Sequence, residues 1–236
     1  MLDEIRKILA DLKDDSYAAS LQRFFKTGPG EYGEGDFFIG LRVPQLRSLA
    51  SRFEDLEIDD AVKLLRSRIH EERLLALLIL VHAYRMGNDL SKKETFALYL
   101  ENTYFINNWD LVDSSAEQIV GAHVFGKSTR ILHRLARSTS LWERRISIMA
   151  TFHFIRRGYF DETIAIIKLL LKDREDLIHK AAGWMLREIG KRNIQAEKAF
   201  LKEHYHVMPR TMLRYAIERF PEEERIRYLE GKVDQD

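Results

Sequence analysis

EERLLALLIL (residues 71–80) returns in altered form as LWERRISIMA (141–150), LIHKAAGWML (177–186) and MLRYAIERF (212–220). Each reads as a helix with a basic residue in its first turn, followed by small and large apolar positions at helical spacing. We align Arg73, Arg145, Lys180 and Arg214, and set Trp109 of NNWDLVDSSAEQIV between the first two. The steps are then 36, 36, 35 and 34 residues. Each leaves room for a second amphipathic helix, such as DDAVKLLRSRI (59–69), KKETFALYLENT (92–103) or DETIAIIKLLL (161–171). Turn signals at Met86-Gly87-Asn88-Asp89, Arg157-Gly158 and Gly190-Lys191-Arg192-Asn193 separate them. A helix pair recurring every ~35 residues predicts an all-α fold. Its form would be an α-solenoid of HEAT-like antiparallel helix pairs, a curved superhelix with a concave binding face.

Composition agrees. Only four prolines and twelve glycines interrupt 236 residues, and five of those glycines crowd between Gly28 and Gly40. The expected layout is one domain over 1–236. Residues 1–50 hold N-terminal helices and a glycine-rich connector, and 51–230 hold the repeats. The amphipathic segment 1–13 would cap the stack. There is no cysteine, which excludes disulfides, thiolate metal sites and thiol nucleophiles. No apolar run approaches the roughly 18 residues of a membrane span. The charged start, MLDEIRKILADLKDD, does not read as a signal peptide, so a cytoplasmic, intracellular protein is expected.

The net charge of +1 hides an uneven distribution. Residues 125–160 hold eight Lys and Arg against the single acid Glu143, a local +7 that leaves −6 for the rest. A basic stripe on a nearly neutral chain points to a localised anionic partner.

The repeat also serves as a ruler. With the aligned residues as position 0, positions −3, 0, +4 and +7 lie within about 80° on a helix. They hold Trp109 and Asp113 in one repeat, Trp142 and Arg145 in the next, then Lys180, Trp184 and Arg187. All three tryptophans share one stripe with a carboxylate and three cations. The stripe also carries Leu77, Leu80, Met149 and Phe152, so part of it is core. Cations neutralise phosphates and indoles pack on sugars or bases, so the face suits nucleic acid. Asp113 would repel phosphate and needs its own explanation. Two are open: an ion pair with Arg145, or stabilisation of positive charge developing on a substrate, as at a sugar ring during glycosidic cleavage.

YFINNWDLVDSSA, LWERRISIMATFHFIRRGYFD and HKAAGWMLREIGKRN resemble, in order, motifs of the AlkD-like family of DNA alkylation repair glycosylases. GPGEYGEGDFFIGLRVPQLRSL (28–49) is similar to the N-terminal signature of that family, and the resemblance runs over about residues 15–225. It implies HEAT-like helical pairs and excision of cationic N3- or N7-alkylated purines from duplex DNA without flipping the base. It also implies that Asp113 is the catalytic carboxylate, stabilising an oxocarbenium-like sugar and positioning water. Trp109 and Trp184 would pack against the deoxyribose, and Arg145 would hold the DNA backbone, with Arg144, Lys180, Arg187 and His153 among the DNA-binding set. The expected partner is duplex DNA carrying alkylated bases, bound by a monomer located at the nucleoid when on DNA.

Three positions depart from the family pattern: Phe24 where a tyrosine occurs, His153 where a lysine occurs, and Asn108 where some relatives carry an aromatic. Some branches lack the carboxylate and bind DNA without excision. A non-catalytic DNA-structure binder and a protein-binding scaffold are the rival readings. No metal or other cofactor is expected: the eight histidines are scattered and there is no H-E-x-x-H. The glycine run 28–35 lacks the P-loop pattern and reads as a flexible connector. Ser114 and Ser115 have no histidine in a motif relation, so no hydrolase triad is expected.

Overall fold

The computed structural model describes residues 1–233. Among these the chain is helical, with one isolated β-bridge, Phe37 to Ile69. The chain forms two compact units, Met1–Ile119 and Val120–Asp236.

The first unit contains α1 (Leu2–Asp11), α2 (Asp15–Phe24), α3 (Val43–Arg52), α4 (Ile58–Leu65), α5 (His70–Met86), α6 (Asp89–Glu101) and α7 (Trp109–Asp113). α5 packs on α3, α4, α6 and α7. The sequence explains its place: Leu74, Leu75, Ala76, Leu77, Ile79 and Leu80 leave its central turns no polar face, and all six are buried. Each large apolar side chain there contributes roughly 1.5–3 kcal/mol on burial. Side chains start the neighbouring helices. Asp14 accepts from the Tyr17 amide (2.9 Å) and Asn88 from the Ser91 amide (3.0 Å).

The second unit contains α8 (Ala122–Val124), α9 (Arg130–Leu135), α10 (Leu141–Ala150), α11 (Phe152–Ile155), α12 (Asp161–Leu170), α13 (Asp176–Gly190), α14 (Ile194–His204), α15 (Arg210–Ala216) and α16 (Glu222–Glu230). α10, α13 and α15 carry the aligned basic residues and pack in succession, α10 on α13 and α13 on α15. α9 and α12 flank α10, and α12 and α14 flank α13. This is the helical-repeat arrangement that the 34–36-residue spacing implies. Two close approaches require glycine. A Cβ at Gly183 would lie 2.6 Å from the Tyr215 Cβ, and one at Gly121 would lie 2.9 Å from the His153 Cβ.

Two local differences from the sequence reading matter for the site. The repeat ruler sets Trp109 and Asp113 on a helix of the same kind as 141–150 and 177–186. Instead α7 is only five residues long, and a π-helical turn follows at Glu117–Gly121. The hydroxyls of Ser114 and Ser115 bond back to the carbonyls of Asp110 and Leu111, both at 2.6 Å, where the chain leaves regular helix. Directly after the glycine run 28–35, which reads as a flexible connector, residues 36–41 are pinned through the buried carboxylates of Asp36 and Glu71.

Among the described residues no helix is long and apolar enough to cross a membrane.

Candidate functional site

The site in the first unit is built around α7. Asn108 caps this helix, its side-chain oxygen accepting from the Trp109 amide at 2.8 Å. Its amide nitrogen donates to Asp36 at 3.2 Å. Both ends of the Asn108 side chain are therefore used, a task an aromatic residue could not perform.

Trp109 and Asp113 are the first and last residues of α7, one helical turn apart and both half-buried. The Trp109 indole stacks on Phe25 (5.2 Å, 19°). Phe25 stacks on Phe38 (5.0 Å) and Phe38 on His70 (4.4 Å). Phe24, exposed where the family can carry tyrosine, sets its ring edge-on to Trp109 at 6.0 Å. One face of the indole is thus held by a pile of rings.

Asp113 lines a cleft of about 410 Å³ formed within this unit by α3, α5 and α7. Arg47, Ser51, His82, Arg85 and Gln118 share its wall, so two exposed arginines line the same cleft as the carboxylate. Tyr99 is wholly buried nearby and bonds to Ser115 at 3.0 Å. Burial pushes its phenol well above the usual range; the Ser115 bond opposes this and the Asp113 charge adds to it.

Sequence reasoning missed the support beneath α7. Asp36 is buried and gathers four donors: Arg73 at 2.6 Å, His70 at 3.1 Å, Asn108 at 3.2 Å and Asn107 at 3.3 Å. Burial works against its ionised form, but the His70 bond and the Arg73 charge hold its carboxyl below the usual range. The other His70 nitrogen meets Asp110 at 2.8 Å. Glu71 accepts from the amides of Ile39 (3.1 Å), Gly40 (2.8 Å) and Leu41 (3.3 Å), fixing the connector to α5. The available signal was the run His70-Glu71-Glu72-Arg73 heading the apolar stretch of residues 74–81. Four polar residues with no solvated face need partners elsewhere in the chain.

In the second unit, Trp184 is half-buried and donates to Glu188 at 3.2 Å, with Phe152 6.1 Å away. Lys180 is half-buried and pairs with Asp176 at 2.6 Å. Arg187 pairs with Glu218. Arg145 is 5% exposed and donates to the Leu177 carbonyl, so gripping a phosphate would require it to leave that carbonyl. Arg144 is committed to Asp173 (2.6 Å) and to the carbonyls of Ser138 and Thr139. His153 lies edge-on to Phe125 (5.4 Å). Burial, with Arg157 and Arg156 beside it, pushes His153 down to about 4. At neutral pH it presents an uncharged ring.

The family model described as DNA alkylation repair enzyme matches residues 5–220. The chain belongs to the DNA alkylation repair enzyme family. No curated protein matches it. Solved structures share its all-helical repeat fold. One is described as a predicted DNA alkylation repair enzyme from Enterococcus faecalis, 17% identical with a TM-score of 0.70, the match covering 89% of this chain and 97% of that one. Another is AlkD2 from Streptococcus mutans, 18% identical with a TM-score of 0.58, covering 88% and 98%. At such identities the likeness establishes the fold. Membership of the alkylation repair family gives this chain a role in repair of alkylated DNA. Among the described residues no cluster of three or more His, Asp or Glu is arranged to hold a metal.

Proposed function

We propose that the protein is a DNA glycosylase that excises cationic N3- and N7-alkylated purines from duplex DNA, with Asp113 as its catalytic carboxylate. The observation that carries this reading is on α7: the Asp113 carboxylate lines an open cleft that also holds Arg47 and Arg85, one turn from an indole stacked on Phe25.

Alkylation at N3 or N7 gives the purine a positive charge. When the C1′–N bond breaks, its electron pair returns to the base and neutralises it, so no general acid is needed. The positive charge moves to the sugar, and water then adds at C1′ and loses a proton. Asp113 stabilises the sugar cation. At ~4 Å and an effective dielectric near 20, that attraction is about 4 kcal/mol. This corresponds to roughly 10³-fold in rate. Trp109 packs against the deoxyribose and excludes water, and Trp184 offers an indole to the DNA from its own unit. Arg47, Arg85 and Lys180 meet phosphates. Arg145 shapes the surface from a buried position and Arg187 from a half-buried one, and Arg144 does so by fixing the turn before α10. His153 contributes a neutral contact. Base stacking is kept, so no flipping pocket is needed.

The test is release of base from a duplex carrying 7-methylguanine. Wild type should release it and Asp113→Asn should do so about 10³-fold more slowly, with duplex binding retained. Equal release by both would remove Asp113 from the chemistry. No release by wild type, with salt-sensitive duplex binding, would leave a non-catalytic DNA binder.

A further inference from the structure

We propose that His70 is a positioning residue for this site: an imidazolium clamped between Asp36 and Asp110 that fixes the first turn of α7 and thereby sets Trp109 and Asp113. The kinetic part of this proposal rests on the glycosylase reading; the structural part does not.

Hydrogen bonding determines the ring's charge. Nδ1 faces Asp36 Oδ2 at 3.1 Å and Nε2 faces Asp110 Oδ2 at 2.8 Å. Carboxylate oxygens only accept, so both ring nitrogens must donate, and a ring with two N–H groups is charged. The side chain is 2% exposed, and a buried charge persists only when paired. The surroundings supply the pairing. Asp36 faces the ring from the connector, Asp110 from α7, and Arg73 from α5 itself, sharing Asp36 at 2.6 Å. Two cations thus balance two carboxylates. The remaining charges on that turn are engaged elsewhere, Glu71 on the amides of residues 39–41 and Glu72 on Arg6 at 3.4 Å. Burial pushes His70 down, but the Asp110 charge and the bonds to Asp110 and Asp36 prevail and raise it to about 9.

The clamp reaches the candidate catalytic residues by two routes. Asp110 directly follows Trp109 in the first turn of α7. The His70 ring also begins the pile that runs through Phe38 and Phe25 to the indole. When the imidazolium loses a proton, one nitrogen turns a lone pair toward a carboxylate. One bond is lost, a repulsion replaces it, and α7 loosens at the end that carries Trp109.

The experiment uses the full chain. Nitrogen-15 NMR of the histidine side chains reads the protonation of His70, and the Trp109 indole N–H signal, assigned with Trp109→Phe, reports on α7. Both His70 nitrogens should be protonated at neutral pH, and the Trp109 signal should move with the His70 titration, midpoint about 9. Asp110→Asn should lower that midpoint, because the carboxylate that raises it is gone. His70→Gln should lower kcat for base release roughly 10–100-fold, the scale of a small misplacement, with KM little changed and the alkaline limb of the profile lost. The proposal is overturned by a neutral His70 ring at neutral pH, by a Trp109 signal that stays fixed while His70 titrates, or by a His70→Gln protein with wild-type kcat and pH profile. If His70→Gln does not fold, Asp110→Asn decides, and an unchanged midpoint overturns the clamp. If wild type releases no base, the glycosylase reading fails while the NMR measurements still judge the clamp.

Discussion

Gly183→Ala in α13 tests how closely the repeats pack. A Cβ there would lie 2.6 Å from the Tyr215 Cβ and closer still to the Met212 carbonyl oxygen, both on α15. Carbon atoms rest at ~3.5–4.0 Å, so α15 must retreat by about 1 Å. The obstacle includes backbone, which has no rotamer to escape into. Overpacking of this kind destabilises by roughly 1–3 kcal/mol. The gain in helix propensity on replacing glycine by alanine, ~1 kcal/mol, acts the other way. The net is a loss of up to about 2 kcal/mol, which for a chain of this size lowers Tm by up to roughly 8 °C. Differential scanning calorimetry of wild type and variant measures it. A Tm raised by a few degrees would mean that propensity acted alone, and the close approach of α13 to α15 would be refuted. The neighbouring Trp184 should respond too, with a shift in its fluorescence.

Arg144→Ala separates a structural arginine from a DNA contact. It leaves the buried Asp173 without its cation and two carbonyls without donors, so stability should fall by about 3 kcal/mol while the salt slope of duplex binding stays as in wild type. A slope reduced by about 1 at unchanged Tm would make Arg144 a phosphate contact instead. The raised pKa of His70 gives stability a defined pH dependence. Between its unfolded value near 6.5 and the folded value of about 9 the folded state holds the extra proton. The contribution, at most on the order of 3 kcal/mol, is complete below about 6.5 and is lost as pH rises through 9. Urea unfolding across that range should show the decline, and a flat profile would contradict the buried imidazolium. His153 acts with the opposite sign and in another window: its neutral form supports folding above 6.5, and the benefit is lost as pH falls toward 4.

Much of the fold was legible because it depends on local regularity. The spacing of Arg73, Trp109, Arg145, Lys180 and Arg214 reflects the length of a helix pair, and apolar periodicity marked α12 to within one residue, whereas α4 ends at Leu65, short of the expected 69, and α6 begins at Asp89, before the expected 92. The same ruler placed Trp109 and Asp113 on one helical stripe, and both lie on α7, which is shorter than a repeat helix. What it could not reveal is which polar side chains have found partners. Arg73 and Arg145 occupy equivalent repeat positions and look alike in sequence. Both are buried, one on a carboxylate 37 residues earlier and the other on a carbonyl 32 residues later. No periodicity encodes such pairings. His70 and Asp110 escaped notice for the same reason, and the pinning of the connector by Glu71 is invisible to a reading that takes glycines as a sign of flexibility.

Asp36 bonds to residues 34, 37, 71 and 72 positions further along the chain. Closing loops of that size costs entropy that these bonds must offset. The connector and α7 share one latch. In the native protein they should open together, as a single cooperative unit in hydrogen exchange. The amides of residues 39–41, which contact neither Trp109 nor Asp113 in the bonds described, would then report on the integrity of the candidate catalytic helix.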